Sequence, residues 1–156
     1  MAYVDNNLVV AGGVTAAGVI TYQTPATTSI TLSTNAIDLG VGRDLGEGKD
    51  LFIRSQIGAA FTGLTSLEIQ AITADDAALT TNVTIVGTTG PIPLASLTAG
   101  ARFAADLNPR IGSKGQRYLG ARFSVVGTST AGTAFVDFGV EIQDGQKFYP
   151  NGFAIL

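Results

Sequence analysis

The sequence predicts an all-β chain folded as an antiparallel β-sandwich of jelly-roll type. Three observations carry this: two long stretches alternate apolar and polar side chains, turn residues recur between short apolar runs, and no long helical period occurs. In the stretch 134–142, Ala134, Val136, Phe138, Val140 and Ile142 share one face of an extended chain, with Asp137, Gly139 and Glu141 on the other. In the stretch 118–126, Leu119, Ala121, Phe123 and Val125 point one way, and Tyr118, Gly120, Arg122 and Ser124 the other. Residues 127–132 between them are Gly, Thr, Ser, Thr, Ala and Gly, a hairpin-loop composition, so the two runs are expected to pair antiparallel. One buried and one wet face per strand is the pattern of a sandwich or barrel.

In chain order, residues 1–20 read as an N-terminal arm, uncharged apart from Asp5 and rich in Ala, Gly and Val. Such an arm can add to a neighbour as a strand or become ordered on assembly. Residues 21–156 read as a single sandwich domain. Its candidate strands are 29–32, 51–57, 66–73, 82–87, 101–107, 119–126 and 133–142, with an eighth from the arm or the tail. Most are joined by links containing Gly, Pro, Asn or Asp. Two stretches, 73–80 and 94–102, carry a trace of helical character. In the first, Thr73 could act as N-cap with Asp75 and Asp76 in the first turn, but neither stretch extends beyond a turn or two. The last 14 residues hold Phe148, Tyr149 and Phe153 among Pro150, Asn151 and Gly152, the composition of an irregular tail packed against something.

At 156 residues the chain is about one domain long, enough to bury roughly 70% of the surface exposed by its unfolded state. Charged residues make up 13% of it, about half the usual share, while hydrophobic residues reach 46% with a mean hydropathy of +0.34. A small monomer so short of charge is poorly solvated, so either it is a membrane protein or part of its surface is covered by copies of itself or by a partner. The longest weakly apolar stretch, residues 9–20, is too short and too rich in glycine to cross a bilayer as a helix. A transmembrane barrel is disfavoured by few aromatics and no tryptophan. No basic n-region precedes the first arginine, Arg43, so a signal peptide is not expected and synthesis in a cytoplasm is. With a net charge of −3 and scattered basic residues, nucleic acid is not the expected partner. The densest basic group, Arg110, Lys114 and Arg117, reads as a solvated loop.

Chemistry is restricted from the outset, because the chain has no His and no Cys. Thiolate catalysis, cysteine-ligated zinc and His-assisted serine catalysis are therefore closed. The adjacent Asp75 and Asp76 read as a solvated turn. A carboxylate pair from Asp137 and Glu141 leaves a glycosidase open, but the Trp-lined groove such sites use is missing. The stretch 38–50 places four carboxylates among four glycines, in the manner of a calcium loop. Val41, Arg43, Leu45 and Lys49 are unusual fillers for one, so it reads as a structured turn into the next strand. Gly40 and Gly42 begin a dinucleotide fingerprint, but Leu45 fills the third glycine slot. The expectation is a protein without active site, cofactor or metal.

Three segments carry a resemblance to a known family. Ser33-Thr34-Asn35-Ala36-Ile37-Asp38-Leu39-Gly40, followed by Asp44-Leu45-Gly46-Glu47-Gly48-Lys49, resembles the entry into the body of the capsid cement, or decoration, proteins of tailed bacteriophages of the Bordetella-phage type. Residues 92–102, from Ile92 and Pro93 to Arg102, resemble the family's "IP, small residue, Leu, Gly, Arg" segment. Arg117-Tyr118-Leu119-Gly120-Ala121-Arg122-Phe123 is similar to its "RYLRL" strand. The resemblance spans residues 33–142 and implies a jelly-roll protein that sits on the outer surface of an icosahedral head in the virion. There it would clamp neighbouring major capsid protein subunits as a homodimer or homotrimer. Candidate contact residues are Tyr3, Leu8 and Val9 in the arm and Phe148, Tyr149 and Phe153 in the tail, which read equally well as plugs for the ends of the sandwich. Rival readings are a tail or baseplate adaptor and a carbohydrate-binding sandwich.

Overall fold

The computed structural model describes residues 6–25, 27–40, 51–107 and 116–139. Strands β1 (Val9–Ala11), β2 (Gly13–Val14), β3 (Ile20–Thr21), β4 (Ser29–Leu32), β5 (Ile37–Asp38) and β6 (Phe52–Ile57) are followed by β7 (Thr62–Ala74), β8 (Thr84–Thr88), β9 (Ile92–Pro93), β10 (Arg102–Asp106), β11 (Tyr118–Ala131) and β12 (Ala134–Gly139). Short 3-10 turns stand at Asn6–Leu8 and Leu94–Ser96, and the described residues contain no α-helix. Both stretches with helical character resolve accordingly: Thr73 lies inside β7, and the second stretch keeps only the turn Leu94–Ser96.

Two antiparallel sheets face each other. One runs β1-β12-β6-β10; the other runs β4-β11-β7-β8, with β5 also on β11 and β9 on β7. Leaving aside the two-residue strands, eight remain, and they pair as a nest. The first, β1, pairs with the last, β12; β4 pairs with β11, β6 with β10, and β7 with β8. The chain thus behaves as one long antiparallel hairpin folded over on itself.

Alternation explains which side chains fill the space between the sheets. Leu119, Ala121, Phe123 and Val125 of β11 are buried there beside Leu67, Ile69 and Ala71 of β7 in the same sheet, facing Ala134, Val136 and Phe138 of β12 and Ile53 and Ile57 of β6 in the other. Each fully buried Phe, Ile or Leu contributes about 1.5–3 kcal/mol, so this layer sets the fold.

The structure corrects two expectations. The runs 118–126 and 134–142 do not pair as a hairpin. β11 continues through the expected loop to Ala131 and bonds to β4, β5 and β7, whereas β12 bonds to β1 and β6 in the opposite sheet. The chain turns at Gly132 and Thr133 and crosses between the sheets. Both runs present an apolar face to the same core from opposite sides, and alternation alone cannot distinguish that from pairing. Nor is the second face of β12 wet. All six of its residues are buried, because Tyr22 packs edge-on against Phe135 with ring centroids 6.5 Å apart and Arg54 lies over Asp137 and Gly139.

Candidate interaction surface

Of the expected arm residues, Val9 lies in β1 at 4% exposure, opposite Asp137 of β12. Its side chain is buried within the domain, on the face of the sheet it shares with Asp137. Leu8 ends the turn Asn6–Leu8 and is half-buried. Tyr3, Phe148, Tyr149 and Phe153 lie outside the described residues, as do Val140, Glu141 and Ile142, and Arg110 and Lys114.

The carboxylates singled out in the sequence are engaged locally. Asp76 accepts hydrogen bonds from the Thr80 N–H at 2.9 Å, the Thr80 hydroxyl at 2.8 Å and the Thr81 N–H at 2.7 Å. These donors, the Thr81 backbone first, hold its pKa below the usual carboxylate value. Asp75 accepts from the Asn82 side chain at 2.6 Å. Together they pin the turn 75–82, which folds Leu79 back onto the outer face of the sheet against Ile72 and Ala74. Asp38, first residue of the glycine-rich stretch, is clasped by Arg117: Nε donates to Oδ1 at 2.6 Å and Nη2 to Oδ2 at 2.7 Å. This bidentate bond, helped by the Gly40 N–H, lowers the Asp38 pKa to about 2. Arg117 also stands 5.3 Å from the centre of the Tyr118 ring. The rest of the stretch, residues 41–50, lies outside the described residues.

Asp137 is paired with Arg54 across the β12–β6 ladder, the Arg54 Nε donating to Oδ1 at 3.1 Å. Burial nevertheless pushes its pKa up, since desolvation outweighs the attraction of the guanidinium. On the outer face of the other sheet, Arg122 Nε donates to Gln70 Oε1 at 2.6 Å, and the Thr88 hydroxyl donates to Glu68 at 2.5 Å. Hydrogen bonds from Gln70 and then Thr88 hold the Glu68 pKa down. Among the described residues no group of three or more acidic side chains is placed to hold a metal ion.

Surfaces that sequence reasoning missed are apolar side chains on outward positions and the free sides of edge strands. Ile30 at 52% exposure and Val126 at 56% share the outer face of the β4–β11 pair, where Ile30 sits opposite Ser124. Val126 has a signal in the sequence, an apolar residue at the polar parity of its strand, whereas Ile30 shares its parity with Leu32 and reads from the sequence as inward.

The four sheet edges differ in cover. Beside β1, the Asn35 N–H donates to the Val10 carbonyl at 2.9 Å. Along β4, the Gln23 side chain acts as a strand, donating to the Leu32 carbonyl at 2.8 Å and accepting from the Thr34 N–H at 3.0 Å. β8 and β10 instead approach each other at one end, where a Cβ on Gly87 would sit 2.6 Å from the Asp106 carbonyl oxygen. Only a glycine allows that closure. Among the described residues no strand bonds to the outer side of β10. Among the described residues two kinds of surface are thus open to a protein partner: apolar side chains on the outer sheet face, and the part of the β10 edge away from Asp106.

In comparison with known families, residues 21–138 match the family model described as Bbp16. No curated protein matches the chain.

Proposed function

This chain belongs to the Bbp16 family, whose name derives from a Bordetella phage, and on that premise we propose that it is a structural protein of a tailed-phage virion. Specifically, it acts as a capsid cement protein of jelly-roll fold that binds the outer surface of the head and clamps neighbouring major capsid protein subunits. The family match over residues 21–138 is the observation that carries the reading. Supporting the jelly-roll assignment is the nested pairing of eight strands, β1 with β12 through to β7 with β8, because two interlocked Greek keys produce that order. Supporting a structural role is the use made of the described carboxylates: Asp38, Asp75, Asp76 and Asp137 all serve as turn caps or ion-pair partners. A chain poor in charge, with exposed Ile30, Val126 and Ile85, is suited to being covered by other proteins.

One oligomer spanning several capsomers gains from multivalency, since after the first contact each further one is effectively intramolecular. Weak contacts per copy then suffice. The reading is tested by co-sedimenting the purified protein with expanded, undecorated shells of its own phage and heating the shells with and without it. Saturable binding at a fixed ratio per capsid subunit, with a raised shell melting temperature, is expected. No binding overturns the capsid assignment and moves the reading to a tail adaptor or a glycan ligand.

A further inference from the structure

We propose that one end of the sandwich, free of charged side chains among the described residues and carrying the hairpin β2–β3, is the face that seats on the shell, in an uncharged apolar depression of the major capsid protein. This inference rests on the capsid reading and adds which end of the molecule makes the contact. The chain reverses direction from strand to strand, so its connections gather at two opposite ends. At one end lie residues 12–28 between β1 and β4, 58–61 between β6 and β7, 89–101 between β8 and β10, and 132–133 between β11 and β12. Main-chain bonds tie these segments together: the Gly58 N–H donates to the Thr133 carbonyl at 2.9 Å, Phe61 N–H to the Leu97 carbonyl at 3.0 Å, and Gly100 N–H to the Ile57 carbonyl at 2.8 Å. None of their residues is Asp, Glu, Lys or Arg. Arg102, opposite Gln56, marks the boundary of this zone on one sheet, and Glu68, opposite Ser124, on the other. The far end holds Asp38, Asp75, Asp76, Asp106 and Arg117. Exposed apolar side chains follow the same division: Val19 at 59%, Tyr22 and Leu94 stand on the uncharged connections, with Ile30 and Val126 on the strands beside them.

The hairpin belongs to neither main sheet, pairing Gly13 with Thr21 and Val14 with Ile20. Its turn is closed in the single chain: the Gly18 N–H donates to the Thr15 carbonyl at 2.8 Å, Thr15 N–H to the Val19 carbonyl at 2.9 Å, and Val19 N–H to the Thr15 hydroxyl at 3.1 Å. A free two-stranded hairpin is marginal in water, but this one is anchored at its base. Gln23 and Ala134 exchange two main-chain bonds of 2.9 Å, and Tyr22 packs against Phe135. Residues 15–19 are therefore held out, all exposed, in one shape, and docking them sacrifices little conformational freedom. The missing charges select the partner. Taking an ion out of water unpaired costs several kcal/mol, which is why the centres of protein interfaces are depleted of charge. An end without ions can be desolvated whole against a surface that is likewise uncharged. It offers no Lys or Arg to anionic lipid or to phosphates, whereas an apolar depression in a protein surface suits Val19 and Leu94. Arg102 and Glu68 then stand at the rim, and the charged end faces solvent.

The test is co-sedimentation of the full chain with expanded, undecorated shells of its own phage, on wild type, Val19→Asp, Leu94→Asp and Ile85→Asp. The three side chains are exposed, and Ile85, opposite Ile72 on the outer sheet face, lies outside the uncharged end; each variant is expected to keep the circular dichroism and melting temperature of the wild type. Val19→Asp and Leu94→Asp each weaken shell binding at least about 10-fold, because a carboxylate enters a dry contact, while Ile85→Asp stays within about twofold. Undiminished binding by the Val19 and Leu94 variants, or an equal loss in Ile85→Asp, overturns this inference, and the wild-type binding keeps the capsid reading standing. A wild type that binds no shell overturns the capsid reading and this inference with it. Two measurements on the free protein identify other occupants. Wild-type self-association abolished by Val19→Asp gives this end to a second copy, sedimentation with phosphatidylcholine vesicles gives it to a lipid surface, and either result overturns the proposal.

Discussion

Replacing Gly120 by alanine probes how the turn 75–82 is fastened to the outer face of the sheet. Gly120 sits on the outward side of β11, and a Cβ there would lie 2.3 Å from Leu79 Cδ1 and 3.1 Å from both Leu79 Cδ2 and Ser33 Oγ. Carbon atoms in good contact stand about 3.5–4.0 Å apart, so Leu79, only 1% exposed, must move. In an open strand the change would stabilise by about 0.5–1 kcal/mol, because alanine loses less freedom on folding. Overpacking of a filled site costs about 1–3 kcal/mol, and the expected net is a loss of about 1–2 kcal/mol. Leu79→Ala alone should cost about 2–3 kcal/mol, the low part of the range for a buried leucine, since its cluster has only Ile72 and Ala74 as other fully buried members. Combining the two places the new methyl in the space the leucine leaves, so the double variant should be about 2 kcal/mol more stable than the sum of the singles. Urea unfolding followed by far-UV circular dichroism measures all four corners of the cycle. Additivity within about 0.5 kcal/mol would show that Leu79 does not occupy the site above Gly120.

Leu79 also holds a left-handed backbone, with φ of 59°. A leucine there costs about 1–2 kcal/mol, so Leu79→Gly should be no more destabilising than Leu79→Ala in the same urea experiment, despite losing another carbon. Deleting residues 1–11 removes β1, including Val10 and Ala11 with no exposed surface, and should cost roughly 4–6 kcal/mol; a truncated domain with an unchanged melting temperature would refute the role of β1. Asp38 has a folded pKa near 2, below its unfolded value of 3.8. The unfolded state therefore binds the extra proton between these values, so stability from this group is present above pH 4 and lost as pH falls toward 2. Asp38→Asn should flatten that part of the stability profile, and an identical profile for variant and wild type would contradict the Arg117 clasp. Gln23→Ala should cost about 1–2 kcal/mol by uncovering the Leu32 carbonyl and the Thr34 N–H. Hydrogen exchange at the Thr34 amide would report it, and unchanged protection there would count against the Gln23 cover.

The sequence by itself determined the class of fold and the inward face of its main strands. Leu119, Ala121, Phe123 and Val125, and likewise Ala134, Val136 and Phe138, are buried as their alternation requires, because a period of two is a local property of extended chain. Strands 29–32 and 51–57 emerge at or within one residue of β4 and β6 for the same reason, and Asp75 and Asp76 fall in a turn as their composition implies. Tertiary structure alone decided which strands are neighbours. The same alternation suits β11 and β12 as a hairpin or as members of facing sheets, and the crossing at Gly132 selects the second. It also decided that Val9 is core, since nothing within residues 9–11 announces that β12 waits beside them. The status of each edge was equally out of reach: Gln23 covers β4 from nine residues away and Asn35 covers β1 from twenty-five, while β8 closes on β10 only at one end, where Gly87 meets Asp106. Pattern along a chain states which way each side chain faces, but pairing and exposure depend on segments brought together from far apart in sequence, and only the packed molecule sets those.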